Sequence, residues 1–127
     1  MIFDTDIVVW ILRKLPGAMR FGEAVAPVER NISVITHLEL LHGCRDLQEL
    51  QDLQELIAGW FVEVLPVTRD ISKAAQDIMG KFALSRRPGM GDVLIAASAL
   101  DYGEEVATCN RKHFEFIPGL DLRVFRA

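Results

Sequence analysis

Apolar positions along this chain follow two alternating rhythms. Short runs rich in β-branched or aromatic residues predict strands at 2–3, 31–35, 61–67, 105–108 and 122–125. Between them, apolar residues recur every three or four positions and predict helices at 5–14, 18–25, 36–44, 46–58, 69–84 and 92–100, with a short helical turn at 111–114. Breakers punctuate the pattern: Leu15-Pro16-Gly17 after the first helix, Pro27 after the second, Gly43 near the end of the third and Gly59 after the fourth. Leu47, Leu50, Leu53 and Leu56 mark one face of the 46–58 helix, and Asp46, Glu49, Asp52 and Glu55 give it a solvated side. The 92–100 helix is apolar nearly all round, which predicts burial on most sides. Pro66 places the third strand at a sheet edge. Residues 85–91 read as an exposed loop. Strand and helix alternate throughout, so the expectation is an α/β domain with a central parallel sheet. No repeat or linker divides it, and 1–127 reads as one domain.

Composition narrows this picture only slightly. With 127 residues, half of them hydrophobic, the chain can bury a core without disulfides or structural metals. A charged fraction of 25% argues against disorder. Fourteen basic against 18 acidic residues give a net charge of −4, which weighs against a dedicated non-specific nucleic-acid binder but leaves room for a basic patch beside clustered acids. Cys44 and Cys109 fit no C-x-x-C spacing and read as reduced thiols. Asp4 and Asp6 interrupt the first apolar segment, so no signal peptide is expected. No apolar run approaches the roughly 18 residues that span a bilayer, and the expectation is a soluble, cytoplasmic protein with no membrane partner.

The chemistry is carried by acids. Asp4 comes directly off the first strand, Glu39 lies one helical turn beyond the second, Asp92 opens the buried helix and Asn110 follows the fourth strand. In a parallel sheet such junctions share the carboxyl edge, where α/β sheets bind ligands. Each acid also has a plainer explanation. Thr36-His37-Leu38-Glu39 matches the capping box, Asp92 after Gly91 could be an N-cap, and Asp6 suits the first turn of a helix. Asp4, enclosed by two apolar runs, is the hardest to explain without a partner. Gathered carboxylates require protons or a cation, and hard oxygen donors suit Mg²⁺ or Mn²⁺.

Four segments in order, MIFDTDIVVW, ISVITHLELLHG, GDVLIAASAL and ATCNRKHFEFIPGL, resemble the four motifs of PIN-domain proteins, most nearly the VapC-type toxins of prokaryotic toxin–antitoxin pairs. The resemblance spans Met1 to about Phe125 and draws its specificity from order and spacing together. It implies a three-layer α/β/α fold with strand order 3-2-1-4-5. It also implies a Mg²⁺- or Mn²⁺-dependent endoribonuclease acting on structured RNA such as tRNA or ribosomal RNA. Asp4, Glu39 and Asp92 fall on the family's metal-coordinating acids, and Thr5 and Thr108 on its supporting hydroxyls. The fuller pattern has a further acid between 110 and 113, where this chain carries Asn110 and His113. Asn110 could orient a water, and Asp6 could make up the lost charge. Lys81, Arg86 and Arg87 before Asp92, with Arg111 and Lys112 after Asn110, are candidate phosphate contacts. A VapB-like antitoxin is the implied partner, with a basic side chain entering the acidic pocket. Apolar positions at 10–15 and 47–56 are candidate surfaces for it or for a homodimer.

Other readings fit parts of the chain. Asp4-Thr5-Asp6-Ile7-Val8 matches the opening D-x-D-x-[TV] of haloacid-dehalogenase-like phosphotransferases, with Asp4 as nucleophile and Gly91-Asp92 as a partial late match. A receiver domain would need an Asp after the third strand, which here ends Leu65-Pro66-Val67. A catalytically degenerate PIN domain would bind without cutting. His37 and Glu39 make an H-x-E with no P-C-x-x-C after it, and His42 is off the i, i+4 face of a helical zinc pair.

Overall fold

The computed structural model describes residues 1–126. Five short strands form one parallel sheet in the order β3-β2-β1-β4-β5: β1 (Ile2–Phe3), β2 (Asn31–Ser33), β3 (Glu63–Leu65), β4 (Val106–Thr108) and β5 (Leu122–Val124). Six helices cross over between them: α1 (Thr5–Leu12), α2 (Pro16–Glu23), α3 (Val34–His42), α4 (Leu47–Trp60), α5 (Arg69–Phe82) and α6 (Met90–Tyr102). The edge position expected of the third strand holds, and Pro66 lies just beyond it.

The three layers follow from the two-residue period of the strands. Phe3, Ile32 and Ala107 point to one face and pack with Ile7, Val8 and Ile11 of α1 and Leu53 of α4. Ile2, Leu65 and Val106 point to the other and pack with Ile71 of α5, Ile95 and Ala96 of α6, and Phe114. Of the α4 leucines, Leu53 is wholly buried and Leu47 is 66% exposed, so the stripe is core packing in its middle and free at its start. The run of buried small residues in α6, Ala96, Ala97, Ser98 and Ala99, lets its neighbours approach closely, and Gly103 closes the helix at φ 68°, a conformation that favours glycine. Among the described residues no helix is long and apolar enough to cross a membrane.

Three boundaries differ from expectation for identifiable reasons. Pro16 does not merely break the first helix but occupies the first turn of α2, where its missing N–H is harmless. Gly59 does not end α4, which runs on to Trp60. Residues 34 and 35 are helical rather than strand, because Ser33 caps α3 by accepting the Ile35 N–H at 3.1 Å. That last shift moves Thr36 and Glu39 one turn into the helix, so they form no capping box. The cap of α4 is Asp46, which accepts the Glu49 N–H at 2.8 Å, while Glu49 reaches past it to accept the N–H of Arg45, the residue before the cap, at 2.9 Å.

Candidate active site

All strands run the same way, so their carboxyl ends deliver side chains to one edge. Asp4 leaves β1 as the N-cap of α1, accepting the Thr5 N–H at 2.8 Å through Oδ1. Its other oxygen accepts from the Thr108 hydroxyl, at the end of β4, at 2.9 Å. Thr108 is fully buried and its oxygen also accepts the Asn110 N–H at 2.9 Å, so one hydroxyl links β1, β4 and the turn that follows. Asp4 itself is only 3% exposed.

The neighbouring acids are held more loosely. Glu39, exposed on α3, accepts from the Thr5 hydroxyl at 2.9 Å, and that hydroxyl lies 3.0 Å from the buried Thr36 hydroxyl. Asp92 is the third residue of α6, whose N-cap is Gly89, so Asp92 is a first-turn acid rather than the cap expected from sequence. It pairs with Nδ1 of His113 at 3.2 Å. Asp6, in the first turn of α1, accepts from the Asn110 amide. A Cβ at Gly91 would lie 3.3 Å from Glu39 Oε1, close enough to shift that carboxylate by a few tenths of an ångström.

Electrostatics bind the four acids into one site. Burial pushes the Asp4 carboxyl up to about 6; the Thr108 hydrogen bond opposes this, and the charges of Asp92 and Asp6 add to it. Asp92 is also raised, first by burial, with His113 opposing and Glu39 and Asp6 adding. The Cys109 thiol is raised by burial and by the same Asp6 and Asp4. Among the described residues, no lysine or arginine pairs with any of the four acids. The four acids supply hard oxygen donors, which fit a hard divalent cation. Their side chains are not drawn into a ready cage: no three His, Cys, Asp or Glu of the described residues converge to ligating distance. Asp4 is fixed, while the half-buried Asp92 and the exposed Glu39 have room to close on an ion.

The sequence-expected residues Asp4, Thr5, Asp6, Glu39, Asp92, Thr108 and Asn110 are thus linked through contacts or mutual charge. Three contributors were missed. In sequence Thr36 reads as a helix cap, Gly91 has no side chain to draw notice, and His113 stands out only as a departure from an acid. Among the basic candidates, Lys81 lies in the last turn of α5, and Arg86 and Arg87 are exposed in the loop before α6. Arg86 sits 5.6 Å over the Phe116 ring, tying that loop to the segment after Asn110. Arg111 and Lys112 are exposed in a 3-10 turn, Arg111–His113. Beside the acids, a groove of about 550 Å³ opens at Thr5 and Glu39 and runs past Val9, Leu12, Leu40 and Cys44.

Comparison with known proteins accords with this geometry. The chain matches the PIN domain family over residues 1–118. Ribonuclease VapC10 of Mycobacterium tuberculosis is 38% identical over 118 residues, covering 90% of this chain and 85% of that protein. A tRNA(fMet)-specific endonuclease VapC of Shigella flexneri is 26% identical over 122 residues, covering 94% and 92%. The structure of DNA-bound VapBC from Salmonella typhimurium aligns with a TM-score of 0.82 at 26% identity, covering 98% of this chain and 97% of that one. VapBC2 from Rickettsia felis, bound to a promoter DNA fragment, shares the fold with a TM-score of 0.85 at 22% identity over 99% and 100% of the chains. The acids at the sheet edge and these relatives lead to one statement: the chain belongs to the PIN-domain family, among its VapC-type nucleases.

Proposed function

We propose that this chain is a single-domain endoribonuclease that uses Mg²⁺ or Mn²⁺ to hydrolyse phosphodiester bonds in structured RNA, tRNA or ribosomal RNA, and that it is the toxin held inactive by a VapB-like antitoxin. The observation that carries this reading is Asp4, a buried carboxylate raised to about 6 by its surroundings and by neighbouring acids, with no lysine or arginine of the described residues paired with it. Such a cluster is stable at neutral pH only with protons or a cation. The relatives' names, ribonuclease and tRNA(fMet)-specific endonuclease, support RNA as the substrate class.

Asp4, Glu39 and Asp92 would hold the ion. When bound, it supplies a lowered water pKa and offsets charge on the scissile phosphate. The chain's own residues prepare that chemistry. Thr108 and the Thr5 N–H fix the plane of the Asp4 carboxylate, and the Thr5 hydroxyl restrains Glu39. Asn110, tied to Asp6 and Thr108, presents an amide that can orient the attacking water. No side-chain nucleophile is needed, and in-line attack leaves a 5′-phosphate and a 3′-hydroxyl. Lys81, Arg86, Arg87, Arg111 and Lys112 flank the two ends of the site in sequence and would bear on RNA phosphates. The apolar groove that opens at Glu39, rimmed by Arg13, Arg45 and Asp52, offers a seat for an antitoxin segment whose basic residue reaches the acids. Trp10 and Leu15, each 36% exposed, remain candidates for a homodimer surface.

The test is cleavage of tRNA or ribosomal RNA by purified protein with Mg²⁺ or Mn²⁺, its loss in chelator, and its loss in Asp4→Asn or Asp92→Asn. Full activity in either variant would falsify the mechanism. A phosphotransferase using Asp4 as nucleophile is not favoured, because the family match and the relatives it resembles are nucleases.

A further inference from the structure

We propose that His113 is a nitrogen ligand of the same cation, acting through Nδ1 beside Asp92, and that it turns the site from Mg²⁺ toward Mn²⁺ or another borderline divalent ion. The inference rests on the metal-site reading above. His113 stands where the resemblance leads one to expect an acid, yet its side chain is not turned away: Nδ1 lies 3.2 Å from Asp92 Oδ2. Two neighbouring ligands on an octahedral ion with bonds of about 2.1 Å are separated by about 3.0 Å. The pair is therefore already spaced as adjacent ligands.

Its placement is set by backbone rather than chance. The His113 N–H donates to the Asn110 carbonyl at 3.1 Å, and the next residue, Phe114, is fully buried in the core. The imidazole itself is 53% exposed and free to adjust. A bound ion would sit between Nδ1 and Asp92 Oδ2, which already face each other. Imidazole suits Fe²⁺, Ni²⁺ or Zn²⁺, and Mn²⁺, the weakest of the transition ions in that order, still accepts a nitrogen among its oxygens, whereas Mg²⁺ is held through carboxylates and water. Replacing a carboxylate by a neutral ring lowers the negative charge available to Mg²⁺ and adds a donor the borderline ions prefer.

The experiment loads the full chain with Mn²⁺ and reads nitrogen coupling to the ion by pulsed electron paramagnetic resonance, alongside calorimetric titration with Mn²⁺ and Mg²⁺. A ¹⁴N coupling is expected in the wild type and in His37→Gln, and its loss in His113→Asp and His113→Ala. His113→Asp should also lower the preference for Mn²⁺ over Mg²⁺ by about tenfold. Circular dichroism checks that the variants keep their fold, which the exposure of the ring favours. Mn²⁺ bound in an Asp4-dependent manner without ¹⁴N coupling overturns the role of His113 and leaves the metal site standing. If Asp4→Asn leaves Mn²⁺ affinity unchanged, the metal-site reading itself fails, and this inference with it.

Discussion

Replacing Asp4 by Asn should make the metal-free protein more stable at neutral pH. The carboxyl is nearly sealed and raised from 3.8 to about 6, with burial the largest cause and the charges of Asp92 and Asp6 adding to it. A folded-state value above the unfolded one means that folding favours the protonated form. The contribution is fully present below about pH 3.8 and is lost as the pH rises through about 6. At 1.36 kcal/mol for each pKa unit, ionised Asp4 costs the fold on the order of 3 kcal/mol at neutral pH. Asparagine removes that charge and keeps an oxygen for the Thr5 N–H, while the Thr108 oxygen can accept from the new amide.

Urea unfolding in chelator measures the effect directly. At about pH 7.5, Asp4→Asn should exceed the wild type by up to about 3 kcal/mol, falling to roughly half of that near pH 5 as wild-type Asp4 takes up its proton. Added divalent ion should narrow that gap, and reverse it only near a thousandfold excess over its dissociation constant, where it stabilises the wild type by about 4.1 kcal/mol. At ten times its dissociation constant it stabilises the wild type by about 1.4 kcal/mol and the variant by little. A variant no more stable than wild type at neutral pH, or a gain that does not shrink on acidification, would refute the electrostatic account.

Thr108→Val removes the donor to Asp4 Oδ2 and the acceptor of the Asn110 N–H; it should cost about 1–3 kcal/mol in denaturation and reduce cleavage. Gly91→Ala brings a Cβ to 3.3 Å from Glu39 Oε1, displacing the carboxylate. Thermal melting should be unchanged or raised, since alanine favours a helix by about 0.5–1 kcal/mol over glycine, while RNA cleavage falls roughly tenfold. Gly22→Ala would place a Cβ 2.4 Å from the Trp60 ring, which is itself packed under Arg30 at 4.6 Å; a loss of about 1–3 kcal/mol in urea unfolding is expected, with cleavage per folded molecule intact.

The sheet and its acids were legible because both depend on local pattern. Apolar runs marked every strand, and an acid directly after the buried pair Ile2-Phe3 had only one edge to occupy. What was not legible depended on which of two local signals wins. Val34 and Ile35 are β-branched and read as strand, but the Ser33 hydroxyl captures the Ile35 N–H and starts α3 early. That moved Thr36 from a supposed cap to a buried position against Thr5. The contact of His113 with Asp92 joins residues 21 apart across α6 and β4, and no spacing rule reports it. Gly91 was silent for a simpler reason, since its contribution is the absence of a side chain.

The N-termini of α1 and α6 both face the acid cluster, so their dipoles favour the negative charge of Asp4, Asp6 and Asp92. Each such interaction contributes about 0.3–1 kcal/mol, and together they offset only part of the ~3 kcal/mol that ionised Asp4 costs. The Thr5 and Thr108 hydrogen bonds already oppose the rise and still leave the carboxyl near 6. Backbone and hydroxyl donors therefore orient the acid without neutralising it, and the remaining demand at neutral pH is for positive charge. Stability and cleavage should consequently move in opposite directions when Asp4 is replaced, because one carboxylate both strains the fold and equips the site. They should fall together when Thr108 is replaced, because that hydroxyl relieves the strain and aims the carboxylate through the same bond.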